Sequence, residues 1–281
     1  MARGLLYALA GAALGAAAAR AAYTAFTREK DTGGRWTRKN HRGEPITLLE
    51  GPAFVAGSTV AAALAPGLPA RVRLAALLAG AGSGALGAYD DLYGTTKSKG
   101  FKGHLTALAR GEVTSGAVKI LGIGATGLTA AALVSRGPVD TVVNGATIAG
   151  AANLANLFDL RPGRAIKVGL LTGGPLLVAA VVRDSPATAA LAAVPLGAAA
   201  ALLPEDLGER AMLGDAGANA LGALLGLAAV TTLGRPGRLA LLGTVAALTA
   251  ASEKISFTKV IAGNQVLNQL DMLGRRPADP V

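Results

Sequence analysis

Long apolar segments recur throughout this chain, and each is close to the ~20 residues that an α-helix needs to cross a lipid bilayer. Polar and Pro/Gly-rich breaks separate them. A soluble domain carries about a quarter charged residues, whereas this chain of 281 residues carries 16%. We therefore predict an all-α, polytopic transmembrane helix bundle of about nine spans, with the N-terminus outside and the C-terminus inside. The predicted spans are residues 4–26, 46–65, 71–90, 115–135, 139–156, 165–182, 187–204, 216–232 and 238–257.

The first apolar segment allows two interpretations. Arg3, followed by an apolar run and small residues, is typical of a cleaved signal peptide. Because apolar segments continue through the rest of the chain, we predict a retained first span instead.

The distribution of Lys and Arg predicts the orientation. With the N-terminus outside, eighteen basic residues fall in the inner segments and seven in the outer ones, which is the bias that cytoplasmic loops show. We predict a single integral domain over residues 1–281, multi-pass in the cell (plasma) membrane, with membrane lipids as partners. The net charge of +10 then reflects topology, and nucleic acid is not a predicted partner. The predicted cytoplasmic loops and tail are residues 28–45, 91–114, 157–166, 205–215 and 258–281.

Four aspartates, Asp90, Asp91, Asp159 and Asp215, fall at the predicted cytoplasmic ends of spans. We therefore expect them to share one site on that face. The chain has no Cys and two His, so carboxylates are the available ligands, and they favour a hard cation such as Mg²⁺, or Mn²⁺. Asp215 begins a predicted helix, whose first turn offers N–H groups to a phosphate. In the simplest alternative Asp90 and Asp91 only end a helix in solvent, Asp159 only pairs with Arg161 or Arg164, and Asp215 is an acid favoured by the dipole at a helix start.

Two further groups of polar residues accompany the aspartates. A basic loop after the aspartate pair contains Lys99, Lys102 and His104, and its positive charge would offset the repulsion between adjacent acids. Asn153 and Asn156 recur with Asp159 every three residues, a spacing that places side chains on one helix face. Together these features predict a site for phosphate groups at the membrane surface.

The order of the motifs resembles a known family. The pieces are "NHRGEPITLLEG", "GAYDDLYG", "KGFKGHLTAL", "NLANLFDLRPGRA" and "MLGDAGANALGALLG", which together extend from residue 40 to about residue 226. They are similar to motifs of the polyprenyl-phosphate N-acetylhexosamine-1-phosphate transferases. That integral membrane family includes the phospho-MurNAc-pentapeptide translocase and the GlcNAc-1-phosphate transferases.

The resemblance implies a Mg²⁺-dependent reaction in cell-envelope glycan synthesis. A polyprenyl phosphate, of the undecaprenyl type, attacks a UDP-amino sugar, giving polyprenyl-diphospho-sugar and UMP. The resemblance implies catalytic roles for Asp90, Asp91 and Asp215, with Asp215 and Asp91 at the metal. The candidate substrate-binding residues are Lys99, Lys102, His104, Asn153, Asn156, Asp159, Arg161 and Arg164.

Two departures from the family leave the function open. Where many members have a second acid soon after the first, this chain reads "DLRPGR", and no histidine follows His104 in place of the family's late histidine cluster. The identity of the sugar therefore stays open. A catalytically inactive membrane scaffold or lipid-phosphate binder with the same fold is the main alternative, a small-solute transporter ranks last, and a homodimer stays open.

Overall fold

The described part of the chain is mostly helical. The computed structural model describes residues 1–28, 34–94, 106, 109–111 and 114–277. The predicted all-α class is confirmed. The helices are α1 Ala2–Arg28, α2 Glu50–Leu64, α3 Ala70–Tyr93, α4 Ser115–Val134, α5 Pro138–Phe158, α6 Arg164–Val182, α7 Pro186–Leu207, α8 Gly214–Thr232, α9 Arg235–Ser252, α10 Phe257–Gly263 and α11 Gln265–Met272. Helix α3 contains one π-helical turn, Leu78–Gly82.

Each of the nine predicted spans coincides with a helix, but fewer helices have the length and apolarity of a membrane span. Five do: α1, α3, α4, α6 and α7. Helices α9 and α10 qualify as a sixth only when taken together, and they are bent by 96°. Helix α2 has 15 residues, or roughly 23 Å at 1.5 Å per residue, which is shorter than the ~30 Å hydrocarbon core. The count of nine spans and their orientation remain predictions.

Helix α8 lies at the centre of the bundle. All of its residues from Ala216 to Val230 are buried, and it packs against α2, α3, α5, α6 and α7. Small residues allow these helices to approach closely, as they do in lipid-embedded bundles. A methyl group on Gly222, for example, would lie 2.2 Å from the carbonyl oxygen of Ala151. The N-terminus of α8 is therefore surrounded by the ends of other helices.

A short hairpin connects the first loop to the start of α8. Strands β1 (Thr37–Lys39) and β2 (Pro45–Thr47) pair antiparallel, with Arg38 opposite Ile46. Thr47 then bonds to the segment before α8: its N–H donates to the carbonyl of Arg210 (3.3 Å), and its carbonyl accepts from Met212 (3.1 Å). The hairpin brings Arg38 to the end of α3, where its guanidinium donates to the backbone carbonyl of Asp91.

Candidate functional site

The aspartate pair at the end of α3 contacts the first turn of α8. The Asp91 carboxylate accepts hydrogen bonds from the backbone N–H groups of Asp215 (3.0 Å) and Ala216 (2.9 Å). Gly214 has a φ of +58°, and a side chain there would approach the Asp91 carboxylate to about 3.0 Å. One turn before the pair, a methyl group on Gly87 would lie 2.2 Å from the carbonyl oxygen of Asp215. Two glycines therefore allow α3 and α8 to meet with their backbones almost in contact.

Lys119 joins the other two aspartates. Its ammonium lies 3.0 Å from Asp90 Oδ2 and also contacts the carboxylate of Asp215. The carboxyl groups of Asp90 and Asp215 therefore share one ammonium group. Only 14% of the Lys119 side chain is exposed, so this cation is largely withdrawn from water and available to the two acids.

Sequence reasoning missed Lys119, although a signal was present. The residue lies inside the apolar segment 115–135, and a charged side chain within a membrane span is costly unless it faces a partner or a cavity. A lysine one turn from the start of a predicted span is therefore a candidate site residue on the same grounds as the aspartates. Its partners, however, come from α3 and α8, which the sequence does not connect to it.

Asp159 lies just beyond the end of α5 and is buried. Burial raises the pKa of this carboxyl well above its ordinary value, and the negative charges of Asp206, Asp215 and Asp91 raise it further. Its Oδ2 atom has no hydrogen-bond partner in the described part of the protein. The four aspartates thus lie at one end of the bundle, called here the aspartate face.

The remaining predicted site residues have different surroundings. The backbone carbonyl of Asn156 accepts from the Asp159 N–H (3.1 Å), while Asn153 lines a groove described below. The Arg161 guanidinium donates to the carbonyl of Leu160 (2.8 Å). Arg164 is buried, and its guanidinium forms a two-pronged ion pair with Asp271 (2.8 and 2.9 Å), an arrangement that leaves its predicted substrate-binding role untested. Three predicted residues, Lys99, Lys102 and His104, lie outside the described residues.

A polar pocket opens beside Asp159. Its volume is about 270 Å³, and its lining includes Lys39, His41, Asp159, Arg161 and Glu209. His41 Nδ1 lies 3.6 Å from Glu209. Burial lowers the pKa of His41 below its ordinary value, although the charge of Glu209 acts in the opposite direction. The lining therefore combines the cations of Lys39 and Arg161 with the acids Asp159, Asp206 and Glu209.

An apolar groove runs from Lys119 along the helices. It has a volume of about 500 Å³ and lies between α4, α5, α8 and α9. Ile120, Ile123, Leu242 and Val245 contribute to its apolar walls. Its polar lining residues are Lys119, Asn153, Asn219, Thr249 and Glu253. The Asn219 side chain donates to the backbone carbonyl of Asp215 (2.6 Å), so this polar region of the groove adjoins the aspartates.

The donor set determines how a magnesium ion could bind. Protein sites often hold Mg²⁺ by one or two carboxylates and leave its other positions to water and phosphate, and Asp90 with Asp215 fits that pattern. In the described residues no group of three or more His, Cys, Asp or Glu side chains is arranged to hold a metal ion. Both oxygens of Asp91 already accept from α8, so its role as a metal ligand stays a prediction.

The expectation that the α8 N-terminus binds phosphate needs correction. The N–H groups of Asp215 and Ala216 donate to Asp91 instead of facing an open site. The carboxylate supplies the negative charge that the helix dipole favours there. Among the described residues, Lys119 and Arg38 are cations that lie beside these aspartates.

Searches with family models find no match to this chain, and a search of curated proteins finds none with significant similarity.

Proposed function

We propose that this protein transfers a phospho-amino sugar from a UDP-sugar to a polyprenyl phosphate and releases UMP. One observation carries the proposal: the Asp90–Lys119–Asp215 cluster adjoins an apolar groove on one side of the bundle. An isoprenoid phosphate needs both features, since its tail is apolar and its head is anionic. The order of the motifs in the sequence supports the same reaction.

The groove fits the lipid substrate. Its walls are formed by helices on which Leu242, Val245 and Ile123 face the cavity, so a hydrocarbon chain would gain free energy by leaving water. At its polar region, Lys119 could pair with the lipid phosphate. We therefore assign the groove to the polyprenyl tail and the aspartate face to its head group.

The polar pocket fits the nucleotide substrate. Asp159 lines it, and Lys39 and Arg161 provide positive charge in the same lining. A diphosphate carries negative charges that such cations stabilise. We assign this pocket to the UDP moiety, which makes Asp159 a proposed contact of the nucleotide.

The proposed chemistry needs little help from a base. A phosphate monoester has a second pKa near 6, so the lipid nucleophile is largely dianionic at neutral pH. The main barrier is the repulsion between two anions that must approach each other. Lys119 lowers that repulsion, while Asp90 and Asp215 hold the ammonium in place. Mg²⁺ bound by Asp90 and Asp215 would add positive charge beside the transferring phosphoryl group.

Release of UMP tests the proposal directly. The full-length protein in lipid nanodiscs is given undecaprenyl phosphate, Mg²⁺ and either UDP-GlcNAc or UDP-MurNAc-pentapeptide. We expect UMP with at least one sugar nucleotide, and a loss of about 10²-fold or more in Asp215→Asn. Asp140→Asn is the matched control, because Asp140 forms an exposed pair with Arg235 away from the cluster. No UMP from well-folded protein with any UDP-sugar would reject the transferase.

A lipid-phosphate binder without turnover is the second candidate. Lys119 contacts both carboxylates that a metal would use, and this observation favours a site that holds phosphate through a lysine alone. Binding of a fluorescent polyprenyl phosphate separates the candidates. A binder retains the lipid without Mg²⁺ and loses it in Lys119→Met, yet it releases no UMP.

A further inference from the structure

We propose that residues 255–273, called here the C-terminal arm, lie in the lipid–water interface at the aspartate face, with their apolar side chains in the lipid. This surface goes beyond the proposed reaction and requires no catalytic activity.

The path of the chain brings the arm to the edge of the bundle. Helix α9 has 18 residues, or roughly 27 Å, and Val245 is its one buried residue. It packs mainly against α5, so most of its surface faces outward, as in a helix surrounded by lipid. At its end the chain bends by 96° into α10. Helix α10 therefore does not continue along the axis of α9, and it would lie nearly parallel to a membrane surface that is perpendicular to that axis.

One side of the arm is fastened to the bundle. Phe257 stacks on Phe158 at the end of α5, with ring centroids 5.1 Å apart. Arg164 pairs with Asp271 through two bonds and also donates to the Thr258 hydroxyl (2.8 Å). Lys167 donates to three backbone carbonyls near the end of α11, at 2.5 to 3.2 Å. These contacts fix which side of the arm faces away from the protein.

The other side of the arm is apolar and exposed. Leu273 is 68% exposed and Val266 is 65% exposed. The full set of exposed large apolar residues in the arm is Ile255, Val260, Val266, Leu267, Leu270, Met272 and Leu273. A fixed apolar surface of this kind marks a contact with lipid or with another protein.

The bilayer is the occupant that the surroundings favour. The arm continues directly from α9, and short amphipathic helices at a membrane surface place their apolar side chains at the boundary between head groups and acyl chains. Lys254 and Lys259 lie in and beside the arm, where they can contact anionic lipid head groups. If a second copy of the chain or another protein covered the arm instead, that contact would require neither the bend between α9 and α10 nor Lys254 and Lys259.

Tryptophan fluorescence tests the position of the arm. The chain has one Trp, so Trp36→Phe gives a silent background for Val266→Trp and, separately, Leu273→Trp in the full chain. Each variant is placed in nanodiscs whose acyl chains carry bromine near the head group or near the bilayer centre. Leu171→Trp, at an exposed position within α6, is the control for a residue deep in the hydrocarbon core.

We expect blue-shifted emission from both arm variants, with a greater loss of intensity from the shallow bromines than from the deep ones. The α6 control should show the opposite order. Emission typical of water and quenched by acrylamide would overturn the proposal. Failure of both bromine and acrylamide to quench would also overturn it, because protein would then cover the arm. Two arm positions keep the test decisive if one variant fails to fold.

Discussion

The ion pair between Arg164 and Asp271 provides a sharp test of how the arm is held. The exposed fractions of the two side chains are 4% and 7%, and two hydrogen bonds connect them. Asp271→Ala would leave the Arg164 guanidinium buried without its carboxylate. Removal of one partner from a buried ion pair costs about 3–5 kcal/mol.

The cost is expected in the local opening of the arm and not in global unfolding. Arm contacts involve few residues, and such segments open separately from the core. At about 1.4 kcal/mol for each factor of ten, the substitution should raise the equilibrium population of the open arm by about two to three and a half orders of magnitude. Loss of the Asp271 bond to Arg275 (2.6 Å) acts in the same direction.

Native-state hydrogen exchange of the α11 amides in detergent measures that population. Asp271→Ala should accelerate exchange in Gln265–Met272 while exchange in the buried α8 stays unchanged. The double substitution Arg164→Met with Asp271→Leu should recover most of the protection, since an apolar pair of similar size often replaces a buried ion pair without loss. Asp140→Ala is the control, because an exposed pair such as Asp140–Arg235 (3.7 Å) contributes only about 0–1 kcal/mol.

Two results would refute this reasoning. In the first, Asp271→Ala accelerates exchange no more than the control does. In the second, the double variant exchanges as fast as the single variant, which would mean that the apolar packing of the arm and not its charge pairing holds it in place.

Three further predictions concern pH, the cluster and the helix contact. Burial alone would raise the pKa of Asp271, but the hydrogen bonds and charge of Arg164 lower it below its ordinary value. Stability from this pair is therefore present above a pH of about 4 and lost as the pH falls through the lower native pKa. The protection factors of the α11 amides, which correct for the intrinsic slowing of exchange in acid, should fall on acidification. Lys119→Met should lower UMP release by about 10²-fold or more in the proposed assay. Lys119→Arg, measured beside it, keeps the positive charge but changes the shape of the side chain, so it shows which of the two the site requires. Gly87→Ala should lower the free energy of unfolding by about 1–3 kcal/mol, because its methyl group meets the backbone of α8. Gly124→Ala is the control and should have no such effect, since no atom lies within 4 Å of the new methyl. Equal effects of the two substitutions would contradict the close helix contact.

The sequence was informative about elements whose cause is local. Runs of apolar residues of helical length predicted the helices, because backbone groups withdrawn from water must bond within their own segment. The asparagines of the segment 139–156 lower its apolarity, and the helix that the structure has there is not among the candidate membrane spans. The sequence also indicates the four aspartates as site residues, because acids at the ends of apolar segments are rare.

The sequence by itself therefore determined the helical class and the aspartates on which a site could be built. Only the tertiary structure decided their partners: Lys119 lies between Asp90 and Asp215, and Asp91 accepts from the amides of α8. It likewise decided that Arg164 pairs with Asp271. The physical reason is that the apolarity of one segment is enough to predict a helix there. The partner of a charged side chain, in contrast, is the opposite charge or N–H group that the packing of distant helices brings within about 3 Å.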